Sequence, residues 1–240
     1  MKSEIMGIAF DNVTLDEAVD WAMARKGKRR SEYVCTPNPE IVWASRENHA
    51  LYWAIEGADM ILADGVGGGW ASHVWKRPLP ERVSGMDFLE ALLERWEGRV
   101  FLLGGRPGVA AQAGAVIAER FPAVTVCGCH DGYFDDDEAV TARIEEAAPD
   151  MVLVCLGSPK QELWMGSHRD KIHVDLMIGL GGCLDVLAGQ VPRAPERWRK
   201  LGLEWLYRLI REPQRIKRQL CLPLFVWTVL AERPKKAGLE

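Results

Sequence analysis

The chain has 240 residues, 48% of them hydrophobic and 27% charged, with a formal net charge of −4. That length supports one substantial core with room for an appendage, and the balance is that of an ordinary globular protein rather than a disordered or uniformly basic one. The start Met1-Lys2-Ser3-Glu4-Ile5 lacks a basic segment followed by a long apolar run, so a cytosolic protein without a secretory leader is expected.

Helical and strand-like patterns alternate through the first 190 or so residues. Thr14-Leu15-Asp16-Glu17 is a capping-box pattern, and Leu15, Ala18, Val19, Ala22 and Met23 recur at helical spacing. Tyr33-Val34-Cys35 reads as a strand, and Asn38-Pro39 as a cap followed by proline in the first helical position. Residues 60–63, 99–103, 124–127, 151–156 and 175–178 read as further strands, with helices over 84–96, 109–120 and 138–147. Six strands alternating with helices predict a Rossmann-like α/β fold, a parallel sheet covered on both faces. Residues 1–192 form this core in the sequence reading, and residues 193–240 a helical appendage.

Six cysteines suit a reducing compartment, since Cys35, Cys127, Cys155 and Cys183 lie in or beside apolar runs. Cys127-Gly128-Cys129-His130 has no second pair at ligand spacing, and its two cysteines are expected to share a strand face rather than bind zinc.

In open parallel sheets, ligands bind at the carboxyl ends of the strands, so the polar residues that follow each strand carry the chemistry. Gly157-Ser158-Pro159-Lys160-Gln161-Glu162 follows the run 151–156 and sets Lys160 and Gln161 at the mouth of the sheet. Gly104, Gly105 and Gly108 open a helix after another strand, and Gly181 and Gly182 do so after a third, with Asp185 one turn on. Such turns let backbone approach a phosphate, although any β–α turn also needs glycine. Neither turn is a Walker loop or a complete Gly-x-Gly-x-x-Gly. Asp64-Gly65 ends the strand 60–63, where the carboxylate serves as a general base, a ribose ligand or simply an Asp-Gly turn. In Thr36-Pro37-Asn38-Pro39 the prolines pin the loop, leaving Asn38 either a substrate contact or a helix cap. Asp135-Asp136-Asp137 precedes a helix and reads as capping in preference to a metal site.

The tail differs in charge. Residues 193–218 hold nine basic side chains against three acidic ones, a net of +6, so the rest of the chain carries −10. Arg208, Arg211, Arg215 and Arg218 are spaced for one helical face, with a break at Pro213. Residues 220–230 are eleven mostly apolar positions, too few to span a bilayer, which suit an interfacial anchor, a core-packing helix or an oligomer contact. The acidic core and the absence of a basic-aromatic sheet pattern argue against nucleic acid.

Taken together, these elements resemble the WecG/TagA/CpsF family of bacterial glycosyltransferases. The resemblance runs in order through Thr36-Pro37-Asn38, Ala63-Asp64-Gly65, Arg82-Val83-Ser84-Gly85-Met86-Asp87, the turn from Gly104 to Gly108, Asp131-Gly132-Tyr133-Phe134, the loop from Gly157 to Glu162, the turn from Gly179, and Arg193-Ala194-Pro195 with Gly202-Leu203-Glu204-Trp205-Leu206-Tyr207-Arg208. It implies inverting transfer of N-acetylmannosamine, its uronic acid or glucose from a UDP-sugar to a polyprenyl-diphosphate-linked saccharide, at the cytoplasmic membrane face and without a metal or other cofactor. It further implies Asp64 as catalytic base, Thr36, Asn38, Arg82 and Gln161 as substrate-positioning groups, and Gly104, Gly105, Gly108, Tyr133, Gly157, Lys160, Gly181, Gly182 and Asp185 around the nucleotide. The tail arginines Arg208, Arg211, Arg215 and Arg218 would then meet the diphosphate or the membrane. Cys183-Leu184 departs from the aromatic that many relatives carry there. A nucleotide-dependent oxidoreductase and a UDP-sugar-binding protein without activity are the competing readings, and a homo-oligomer is compatible with each.

Overall fold

The computed structural model describes residues 2–211, 213 and 216–232. It opens with β1 (Lys2–Ile5) and β2 (Ile8–Asp11), an antiparallel hairpin. Met6 at φ 52° and Gly7 at φ 89° form its turn, the double positive φ that matches the twist of paired strands. The sequence reading contains no strand here, because four residues a side are too few for alternation to stand out.

The chain continues through α1 (Leu15–Met23), β3 (Glu32–Cys35), α2 (Pro39–Ser45), α3 (His49–Glu56), β4 (Met60–Ile61) and α4 (Val66–Val74). Next come α5 (Gly85–Arg95), β5 (Gly98–Gly104), α6 (Val109–Arg120), β6 (Val124–His130), α7 (Asp137–Ala147), β7 (Met151–Cys155), α8 (Lys160–His168) and β8 (Leu176–Gly179). The remainder is helical: α9 (Cys183–Leu187), α10 (Glu196–Lys200), α11 (Glu204–Arg211), α12 (Ile216–Gln219) and α13 (Leu222–Ala231). The predicted capping box closes α1, with Thr14 accepting from the Glu17 N–H while the Glu17 carboxylate accepts from Thr14 N.

β3 to β8 form one six-stranded, wholly parallel sheet in the order β4-β3-β8-β7-β5-β6, the α/β architecture expected from the alternation. Side chains alternate between two apolar layers. Val100, Leu102, Met151, Leu153 and Ile178 face α1, α5, α6 and α9. Phe101, Leu103, Val152, Val154 and Met177 face the hairpin, α2, α3, α7, α8 and α13. Burial on both faces is why these strands read as continuous apolar runs.

Two local features escape the sequence pattern. β6 carries an irregularity that pairs Val100 with Val126 but Phe101 with Gly128, leaving Cys127 as the extra residue. Cys127 therefore packs in one layer and Cys129 in the other, which corrects the expectation that they share a face. The second feature is α4, hidden in sequence by Gly67, Gly68 and Gly69. A Cβ on Gly67 would overlap the Pro39 ring, and one on Gly68 would lie 3.2 Å from Ala63 Cβ, so the glycines permit close packing.

α13 returns to the core. Phe225, Thr228 and Val229 are buried, Trp75 Nε1 donates to Val229 O at 2.7 Å, and Arg46 grips Glu232 at 2.8 and 3.0 Å. Leu224, Val226, Trp227 and Leu230 remain exposed on its other sides. Among the described residues, no helix is long and apolar enough to cross a membrane.

Gly104, at φ 134°, ends β5 so close to β7 that a Cβ would overlap the Cys155 carbonyl, whereas Gly108, at φ 88°, has open space around that position. Gly104→Ala is accordingly expected to cost about 3 kcal/mol or more, and Gly108→Ala only about 1 kcal/mol, in urea unfolding. Equal losses at the two sites would show that the close approach of β5 and β7 contributes nothing.

Candidate active site

Because the sheet is wholly parallel, all six strands end at one edge, and the loops after them converge there. β5 hands its chain to α6 in one layer, and β7 hands its chain to α8 in the other. These two strands are neighbours, so their loops part above the sheet and leave a crevice of the kind that receives nucleotides.

The loops that border this crevice are knitted together. Gly132 N donates to Gly105 O at 2.9 Å, and Lys160 Nζ donates to Gly132 O at 2.9 Å while lying 4.1 Å from the Phe134 ring centroid. Lys160 thus joins the loops after β6 and β7. Tyr133 stands out from its turn at 73% exposure, its N–H held by Asp131 Oδ1 at 2.8 Å. Gly108, Gly157 and Gly181 all have positive φ and nothing within 4 Å of a would-be Cβ. No side chain caps α6 at Gly108 or α9 at Gly182, and their first N–H groups are met by backbone instead, Val109 N donating to Arg106 O at 3.0 Å and Cys183 N to Leu180 O at 3.2 Å. Asp185, in the first turn of α9, lies near enough to Cys155 to bear on its thiol.

Asp64 follows β4, with its N–H donating to Pro37 O at 3.3 Å. Burial pushes its carboxyl up to about 6. The positive charges of Arg208 and Arg82 and the N–H of Gly65 oppose that rise, and the negative charge of Glu204 adds to it. A half-buried acid is thereby brought under the influence of two guanidinium groups, Arg208 from α11 and Arg82 from the loop before α5. Arg208 is itself held by Glu204, one helical turn earlier, at 2.7 Å.

Other predicted residues face inward. Thr36 is buried, and its hydroxyl donates to Gly179 O at 2.7 Å, tying the loop after β3 to that after β8. Asn38 caps α2 by accepting from Ile41 N at 3.1 Å. Gln161 is 2% exposed, with Oε1 accepting from Gly181 N and Nε2 donating to Glu162 Oε1, each at 2.9 Å. Both ends of its amide are thus engaged by the protein. Asp136 caps α7, and Asp137 accepts from Trp164 Nε1 at 2.7 Å and meets His168 Nε2 at 2.9 Å.

Among the described residues, Arg208 is the tail arginine whose charge acts on Asp64. Arg211 lies 5.6 Å from the Tyr207 ring centroid, Arg218 falls in α12, and Arg215 lies outside the described residues. The appendage is fastened at its start, where Arg193 ion-pairs with Asp87 and Glu90 of α5 and Arg199 approaches Asp87 at 3.7 Å. Sequence reasoning missed Glu204 and Glu162. The i, i+4 spacing of Glu204 to Arg208 was a usable signal, whereas nothing local marks the burial of Glu162.

A shallow depression of about 520 Å³ lined by Met6, Arg46, Tyr52, Trp53, Trp75 and Glu232 shares no residue with the strand-end loops. The chemistry collects instead around Asp64. The Glycosyl transferase WecG/TagA/CpsF family model matches residues 3–238. The chain is 35% identical over 240 residues to the N-acetylglucosaminyldiphosphoundecaprenol N-acetyl-beta-D-mannosaminyltransferase of Staphylococcus aureus strain MRSA252, a match covering 98% of this chain and 94% of that protein. The enzymes of that name from strains MW2 and NCTC 8325 / PS 47 are similar to the same extent. With its parallel sheet, its glycine turns and a match over nearly its whole length, the chain belongs to the WecG/TagA/CpsF family of glycosyl transferases.

Proposed function

We propose that the chain moves a sugar from a UDP-sugar to a polyprenyl-diphosphate-linked saccharide, with inversion at the anomeric carbon. N-acetylmannosamine is the sugar that the relatives' name supports, with its uronic acid and glucose as the neighbouring choices. That name also supports an N-acetylglucosaminyl-diphosphoundecaprenol acceptor. The observation that carries the reading is Asp64, a carboxyl lifted to about 6 at the carboxyl edge of the sheet and acted on by the positive charges of Arg208 and Arg82.

In this mechanism Asp64 accepts the proton of the acceptor hydroxyl as that oxygen attacks the anomeric carbon. A pKa near the working pH lets one group both stay ionised and take the proton efficiently. The bond to the UDP oxygen breaks on the opposite face, and negative charge gathers on the diphosphate. Arg208 and Arg82 supply positive charge beside the reacting centre, a role that needs no metal ion. The open glycine turns near the β5–β7 crevice suit the nucleotide, since a phosphate can approach backbone that carries no side chain. A lipid-linked acceptor keeps the reaction at a membrane, here the cytoplasmic face. Exposed Trp205, Ile210, Leu220, Leu224 and Trp227, beside a basic segment, support peripheral attachment there.

Asp64→Asn is expected to lower kcat at least about a hundredfold while UDP affinity by calorimetry stays within about threefold. Retention of most turnover would remove Asp64 as the base. For the wild type, the raised carboxyl means that kcat/KM climbs with pH below about 6 and is flat above it. A profile already flat on the acid side would contradict this assignment. The folded chain also binds the Asp64 proton more tightly than the unfolded one, so this group's stabilising contribution is present at low pH and lost as pH rises through about 6. Asp64→Asn should therefore melt higher than the wild type at pH above that value. For the membrane, Leu224→Glu combined with Trp227→Glu should abolish sedimentation with anionic vesicles and leave the melting temperature unchanged, both side chains being exposed. Undiminished sedimentation would place the attachment elsewhere.

A further inference from the structure

Glu162 takes no part in the steps above, yet it is 1% exposed in the first turn of α8, the helix that follows β7. Oε1 accepts the hydrogen bond from Gln161 Nε2, and Oε2 has no hydrogen-bond partner among the described residues. Burial pushes this carboxyl above the usual range, with Gln161, the N–H of Glu162 itself and Ser158 pulling the other way. Such burial is costly, and an apolar side chain would fill the volume without that cost. A polar group held there at a penalty calls for a task that an apolar one could not perform.

The geometry identifies that task. A glutamine amide is nearly symmetric in shape, and a half-turn exchanges its oxygen and nitrogen. Gln161 faces a donor on one side, Gly181 N, and an acceptor on the other, Glu162 Oε1. Only one orientation satisfies both. The turn so held is the one that leads from β8 into α9, and Thr36 grips its first carbonyl, Gly179 O. Cys183, two residues after Gly181, lies near enough to Asp64 and Arg208 for both charges to bear on its thiol.

We propose that Glu162 is a positioning residue for the transfer reaction: by accepting from Gln161 Nε2 it selects the amide orientation that fixes Gly181, and with it the turn beside Asp64. The inference rests on the proposed function for its kinetic consequence and on the hydrogen bonds alone for its structural one.

The experiment uses the full-length chain and reads both consequences. Glu162→Ala should lower kcat about tenfold or more with KM for the UDP-sugar within about threefold, and Glu162→Gln, which retains a carbonyl acceptor, should restore most of the rate. Because Glu162 acts through Gln161, the Gln161→Ala, Glu162→Ala double variant should be no slower than Gln161→Ala alone. Independently of activity, amide exchange at Gly181 should quicken at least about tenfold in Glu162→Ala and stay near wild type in Glu162→Gln. Should Glu162→Ala fail to fold, Glu162→Met fills the volume without an acceptor and is read the same way. Additive kinetic losses, or Gly181 exchange unchanged in the Ala or Met variant, overturn the proposal. A wild type that transfers no sugar from any UDP donor overturns the functional reading instead, and the exchange rates still decide the role of Glu162.

Discussion

Parallel pairing is the constraint on which everything else here depends. A strand paired in parallel cannot return by a tight hairpin, so consecutive strands must be joined by crossovers, and all five of these begin at one edge. Groups separated by well over a hundred residues in sequence therefore meet. Thr36 bonds to Gly179, and Asp64 comes under the influence of Arg208. The opposite edge is tied together as well, by hydrogen bonds that serve the fold. There Asp175, at the start of β8, spends its carboxylate on the N–H groups of Gly27 and Arg29.

The electrostatics around Asp64 follow from how that edge is closed. Burial raises the Asp64 carboxyl, and the guanidinium groups of Arg208 and Arg82 limit that rise. Glu204 partly offsets Arg208, both by pairing with it and by acting on Asp64. The outcome is a carboxyl poised near 6 rather than one locked in either state. Four charged groups from three separate segments set that value together, and none would do so alone.

The sheet was legible because its inner strands are buried on both faces and glycine or proline lies near the strand ends, so apolar runs and punctuation agree. The glycine turns could be placed for the same reason. α4 was not legible, since Gly67 to Gly69 lower helix propensity and reveal their purpose only when Pro39 and Ala63 are seen against them. The opposite facing of Cys127 and Cys129 was invisible because an irregularity in β6 is a property of pairing with β5, not of β6 itself. At the crevice, residue types could be read but not their directions. Thr36 and Gln161 look like exposed polar groups in a loop, and only Gly179, Gly181 and Glu162, brought in by folding, show that they bond inward.

The fastening of the appendage has a consequence for rate that concerns populations rather than contacts. Arg208 reaches Asp64 on a segment held by Arg193 against α5, by Gly202 packed on Val66 so closely that a Cβ would overlap it, and by α13 against α2 and α4. The positive charge felt at Asp64 is thus that of the seated segment multiplied by the fraction of molecules in which it is seated. An unseating free energy of about 1.4 kcal/mol would leave roughly one molecule in ten without Arg208 at the site, and about 2.8 kcal/mol would leave one in a hundred. Substitutions at Arg193 or Gly202, far from any reacting atom, would act on turnover through that fraction alone.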